Sequence, residues 1–68
     1  MNGSALRTLR LERGFTQESL ERRSGVARRT ISYIECGHVS PRAPTRKKLL
    51  AALRVDWAEQ RSVFGDLA

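Results

Sequence analysis

Arg28 and Arg29 stand next to each other, with Ser32 and Tyr33 one helical turn further on. A guanidinium can donate two bonds to guanine O6 and N7, and one good pair discriminates against a wrong base by ~1–3 kcal/mol. Adjacent side chains on a helix diverge by about 100 degrees, which favours different targets for the two arginines. The pattern fits one arginine on a base edge and the other on a base or a phosphate. The plain alternative is two solvated surface arginines. Tyr33 offers a ring for a thymine methyl, a hydroxyl for a phosphate, or partial burial against the preceding helix. Ser32 is a shorter-reaching member of the same face. Recognition of a polyanion, rather than bond-making, is the chemistry these residue types suit.

The elements that position them lie in Thr16 to Gly37, TQESLERRSGVARRTISYIECG. Thr16 supplies a hydroxyl N-cap for a helix whose inner face carries Leu20. Gly25 ends that helix, because the residue just past a helix end often needs φ > 0, which glycine adopts cheaply. Val26 plugs the turn. A second helix over about Ala27 to Cys36 turns Ile31 and Ile34 inward and Arg28, Arg29, Ser32 and Tyr33 outward. Two helices meeting this way across a glycine turn have the layout of a helix-turn-helix over residues 16–36, whose second helix lies in a DNA major groove.

Composition agrees. The formal net charge is +6, from 13 Lys/Arg against 7 Asp/Glu, and the pI of about 11.1 favours a polyanionic partner. Eleven of the thirteen basic residues are arginine, which GC-rich coding can also produce without function. The acids are interspersed, so this is not a charge run. At 68 residues the expectation is a single domain over 1–68, burying only roughly 60% of its unfolded surface. No apolar run approaches the ~18 residues of a membrane span, and no signal-peptide core follows Met1. A single cysteine cannot form an internal disulfide, and a cytoplasmic, nucleoid-associated location fits best.

Along the chain, periodicity predicts helix one over about Ser4 to Arg13, capped by Ser4, with Leu6 and Leu9 inward. Gly14 ends it and Phe15 pins the connection. His38 to Pro44, with Pro41 and Pro44, reads as an ordered loop. Helix four is expected over about Thr45 to Arg54 with Leu49, Leu50 and Leu53 buried. That range puts Arg46, Lys47 and Lys48 in its first turn, where the helix dipole disfavours cations and a phosphate or solvent would relieve the cost. Asp56 and Glu59 have capping-box spacing for a fifth helix, to which Trp57, Val63, Phe64 and Leu67 add apolar surface. The fold class is therefore all-α, a compact bundle of about five short helices.

The stretches LRTLRLERGFTQESL, SGVARRTISYIECG and LLAALRV together resemble the Cro/cI-type (Xre-type) helix-turn-helix domain of phage repressors and bacterial regulators, over roughly residues 5 to 60. The features that carry the resemblance are Arg13-Gly14-aromatic-Thr16-Gln17, Ser24-Gly25-Val26, Ile31, Ile34-Glu35 and Ala52-Leu53-x-Val55. It implies a lambda-repressor-like fold in which Gln17 caps helix two and bonds a phosphate, and Arg28, Arg29 and Tyr33 face bases. It also implies that Thr30 meets a phosphate and that the His38 to Arg42 turn, with Ser40, lies along the sugar-phosphate chain. Arg10 and Glu35 match a frequent structural pair of the family. The N–H of Gln17 at a helix start suits phosphate whatever its side chain does.

Four positions depart from the family pattern. Glu21 stands where a small residue is usual at the crossing of helices two and three, so either its stem tilts outward or the crossing is altered. Ser24 replaces a frequent apolar residue. Ala27 replaces the usual Ser or Thr cap of the recognition helix, a loss worth ~1 kcal/mol. Arg46 replaces a frequent leucine.

The expected function is a sequence-specific double-stranded DNA-binding transcriptional regulator, a repressor by preference, acting as a homodimer on half-sites about 34 Å apart. The alternative is a protein-interaction module, antitoxin-like, in which DNA binding is secondary. RNA binding ranks third, since no stacking aromatic pair is evident. No catalytic residues, metal site, cofactor or small-molecule ligand is expected: His38 has no second ligand at metal spacing and no nucleophile partner, and no phosphate-binding glycine loop occurs. Cys36 reads as a small turn residue, with redox sensing as the sharper alternative. Trp57 and Phe64 read as mini-core, or as a dimer contact if exposed.

Overall fold

The computed structural model describes residues 3–65, with side chains from Ala5 onward. Ser4 as a cap and Leu67 as an apolar contact lie outside what it describes. The described residues form α1 (Gly3–Glu12), α2 (Gln17–Ser24), α3 (Arg28–Glu35), α4 (Ala43–Leu53), a single 3₁₀ turn (Trp57–Glu59) and α5 (Gln60–Phe64), with no strand among them. The helix α1 packs on α3 and α5, and α2 packs on α3 and α4. The body measures 28 × 24 × 20 Å.

One apolar interior holds these contacts together. Leu6, Leu20, Ile31, Ile34, Leu49 and Phe64 lose all their exposure, and Leu50, Leu53, Val26, Ala52 and Val63 nearly all. Leu9, Phe15 and Val55 seal its edges. Each full burial of a large apolar side chain contributes about 1.5–3 kcal/mol, against the entropy of ordering a short chain. The stripe positions Ile31 and Ile34 therefore fix the rotation of α3, and that rotation decides which residues face out.

Local chemistry sets the helix ends. At α2 the Ser19 N–H donates to Thr16 Oγ1 at 3.0 Å, and the Thr16 N–H donates back to Ser19 Oγ at 2.9 Å. This is a reciprocal capping box with serine in the place usually held by Glu or Gln. Gly25 adopts φ 77°, and its N–H closes the helix on Glu21 O at 2.9 Å. The Val26 N–H then donates to Ser24 Oγ at 3.1 Å, which gives the unusual serine a use in the turn.

The structure corrects the expected helix four. It begins at Ala43, not Thr45, so the loop after α3 ends at Arg42. Pro44 occupies the first turn, where its missing N–H is not needed and its fixed φ suits the helix. Lys47 and Lys48 consequently lie beyond that turn. Arg46 is not a surface cation awaiting a phosphate; it is wholly buried at the leucine-like position. Its Nε–H donates to Pro41 O at 2.9 Å, and Nη1 donates to Gly65 O at 2.6 Å and to Gln60 Oε1. The guanidinium also sits 5.3 Å from the centre of the Phe64 ring. Distributed acceptors and a ring face replace the solvation lost on burial.

The expected fifth helix is also shorter. Asp56 makes no side-chain cap despite the spacing to Glu59; the backbone closes a 3₁₀ turn instead, Glu59 N–H to Asp56 O at 2.9 Å. Val63 and Phe64 join the core, whereas Trp57 stays 40% exposed with Lys47 Nζ 5.5 Å from its ring centre.

Candidate nucleic-acid interface

With Ile31 and Ile34 buried, the opposite face of α3 carries Arg28, Arg29 and Tyr33 into solvent, Tyr33 at 46% exposure. Ser32 and Thr30 are half-buried at its flanks. Arg28, Arg29, Ser32 and Tyr33 line one open groove with Gln17, Glu21 and Ala27, so the start of α2 and the start of α3 share it. The structure thus brings together five residues singled out in the sequence: the four base-reading candidates and Gln17.

The loop after α3 leaves His38, Ser40 and Arg42 exposed. His38 is held near the groove by its N–H, which donates to Tyr33 O at 2.9 Å, and by an edge-on contact of the two rings at 6.2 Å. Cys36 is exposed in the turn before it.

Beneath this face lies a charged girder. Arg10 Nε donates to Glu35 Oε2 at 2.6 Å and Nη2 to Glu35 Oε1 at 3.0 Å, a two-pronged pair with side chains 8% and 4% exposed. A third bond, Nη1 to Phe15 O at 2.9 Å, fixes the entry to α2. Gln17 Nε2 donates to Glu35 Oε1 at 3.1 Å. The Gln17 side chain is therefore tied to the girder, and its backbone N–H at the start of α2 is placed to meet an anion. Planar bidentate geometry suits a partly buried arginine, since the second bond also fixes orientation. The pair joins α1 to the last residue of α3, so it sets the tilt of the helix that carries Arg28 and Arg29.

Glu21 was not a candidate, yet it belongs to the site. Its side chain is half-buried along the open groove, and its carboxylate turns toward the start of α3. Its Oε2 accepts the Arg28 N–H at 2.9 Å, where Ala27 has no side chain to cap α3. The available signal was the pairing of two departures, a long acid at a small-residue position and a missing hydroxyl at the helix start. Arg46 was likewise missed as a positioning group, because its partners are remote in sequence.

Comparison with known proteins agrees with this geometry. The family model described as Helix-turn-helix matches residues 6–60, a span that contains every residue of the groove, the girder and the loop. The chain is 40% identical over 57 residues to an uncharacterized HTH-type transcriptional regulator, y4dJ, of Sinorhizobium fredii (strain NBRC 101917 / NGR234). That alignment covers 84% of this chain and 74% of the relative. No solved structure matches. The chain belongs to the Cro/cI-type helix-turn-helix family.

Proposed function

We infer that the protein is a DNA-binding transcriptional regulator that reads sequence with α3, and that it acts as a repressor by covering its operator. The observation that carries this is the division of α3 itself. Ile31 and Ile34 are wholly buried, and Arg28, Arg29 and Tyr33 are exposed beside the start of α2. Arg28 and Arg29 bond base edges or one base and one phosphate, Tyr33 meets a thymine methyl, and Ser32 bonds at short reach. The Gln17 N–H, Thr30, His38, Ser40 and Arg42 contact the sugar-phosphate chain and set register.

A single recognition helix spans too few base pairs for useful selectivity, so two copies bind half-sites one helical turn apart. The exposed Trp57 is the side chain best suited to that contact; Phe64, being buried, is not. Such a regulator works on chromosomal or phage DNA in the cytoplasm.

Selection of bound duplexes from a random pool tests this reading. Enriched sites with two related half-sites, centred about 34 Å apart, are expected. Failure to retain any duplex at low salt would instead favour a protein-interaction role for the same basic face.

A further inference from the structure

The beginning of a helix attracts anions, because its first N–H groups are unpaired and the dipole is positive there. In α3 that place is already taken by the protein's own carboxylate. Glu21 reaches across the turn from α2, and its Oε2 accepts the Arg28 N–H at 2.9 Å. Ala27, at the capping position, contributes no side-chain bond, so no hydroxyl competes for the role. Glu21 is half-buried in the wall of the same groove that holds Arg28, Arg29 and Tyr33. A fixed negative charge therefore stands inside the surface that meets DNA.

We propose that Glu21 is a specificity-determining residue: it caps α3 from the neighbouring helix and, by occupying that helix end, keeps a backbone phosphate from docking there. This role presupposes the DNA binding inferred above and adds a source of selectivity to it. Phosphate contacts hold any duplex alike, whereas base-edge contacts distinguish sequences. A carboxylate at the helix start penalises the first kind and leaves the second to the arginines. Random DNA pays that penalty in full; a matched operator recovers it through Arg28 and Arg29. The carboxylate also holds the residue that carries the first of those arginines in helical conformation before DNA arrives.

Four proteins separate the parts of this proposal: wild type, Glu21→Gln, Glu21→Ala and Glu21→Ala/Ala27→Asp. Two quantities are read on each. The first is amide hydrogen exchange at Arg28 in DNA-free protein. The second is affinity for a selected duplex and a random duplex across a salt series. In Glu21→Gln the amide oxygen still accepts the Arg28 N–H, so exchange stays as in wild type. Random-duplex affinity rises and the selected-to-random ratio falls by roughly threefold to tenfold, with the random-duplex salt slope steeper by about one phosphate contact. Glu21→Ala shows the same loss of ratio and about fivefold faster Arg28 exchange, the size expected for a lost cap. Adding Ala27→Asp returns a carboxylate to the helix end and restores the ratio.

An unchanged ratio and slope in Glu21→Gln would overturn the specificity role. Unchanged Arg28 exchange in Glu21→Ala would overturn the cap. Should wild type bind no duplex, the DNA-binding reading fails and the specificity role with it, while the exchange measurement still decides the cap.

Discussion

The Nε–H of Arg46 donates to the carbonyl oxygen of Pro41 at 2.9 Å, from a guanidinium that has no contact with solvent. Pro41 belongs to the loop that leaves α3, and the same side chain bonds Gln60 and Gly65 at the far end of the described chain. One buried cation thus joins the loop bearing His38, Ser40 and Arg42 to α5. A leucine at this position would fill the space but could not hold the loop.

Arg46→Ala is expected to lower the unfolding free energy by about 2–5 kcal/mol, through lost packing on Phe64 and carbonyls left without a donor. Denaturant titration measures it. Arg46→Lys keeps the charge but not the planar fork, and should recover only part of the loss. Hydrogen exchange in the loop is expected to rise in both. A loop unaffected by either change would mean the Pro41 bond does not order it.

Glu35→Ala removes the acceptor of both Arg10 and Gln17 and leaves a guanidinium buried at 6% residue exposure. The expected loss is about 3–5 kcal/mol, the cost of an uncompensated buried charge. Arg10→Met/Glu35→Leu should lose much less than the sum of the single changes. Additive losses in thermal unfolding would argue against a coupled pair.

What the amino-acid sequence reveals of these features follows the range of the interactions. Thr16 as a cap, Gly25 and the Ile31/Ile34 stripe act within a turn or two, and each was readable as a local pattern; the Ser19 half of the capping box was not. The start of α4 was misread because Pro44 looks like loop punctuation, although the first turn of a helix tolerates it. Asp56 and Glu59 had the right spacing, but a 3₁₀ turn satisfied the backbone first. The partners of Arg46, 14 and 19 residues away at Gln60 and Gly65, leave no trace in any short window. On the outward face of α3, Arg28 and Arg29 were visible as an exposed pair. Glu21 was visible only as an anomaly, because its partner is a backbone N–H that sequence does not mark.

Arg54 ends α4 with φ 59° and ψ 45°, a left-handed conformation that favours glycine. The Val55 N–H still closes the helix on Leu50 O at 2.9 Å, so the geometry is set by the chain and not by the side chain. Arg54→Gly is expected to raise stability by roughly 0.5–1 kcal/mol, relief of strain being offset in part by glycine's unfolded-state entropy. A fall in the unfolding midpoint would show that the arginine contributes contacts that outweigh its backbone strain.

The exposed Arg42 lies in the loop assigned to the sugar-phosphate chain. Arg42→Ala should weaken binding to selected and random duplexes by similar factors and reduce the slope of log K against log salt by about one. A change of sequence preference with no change of slope would move Arg42 to the base-reading group.

Base reading by the outward arginines of α3 is the proposal on which the sequence selectivity depends. The most direct measurement is the base preference of Arg28→Ala and Arg29→Ala, each determined position by position on the selected operator. At least one substitution is expected to flatten the preference at a distinct base pair, by ~1–3 kcal/mol, while the fold stays intact. Preferences left unchanged at every position in both variants would contradict it.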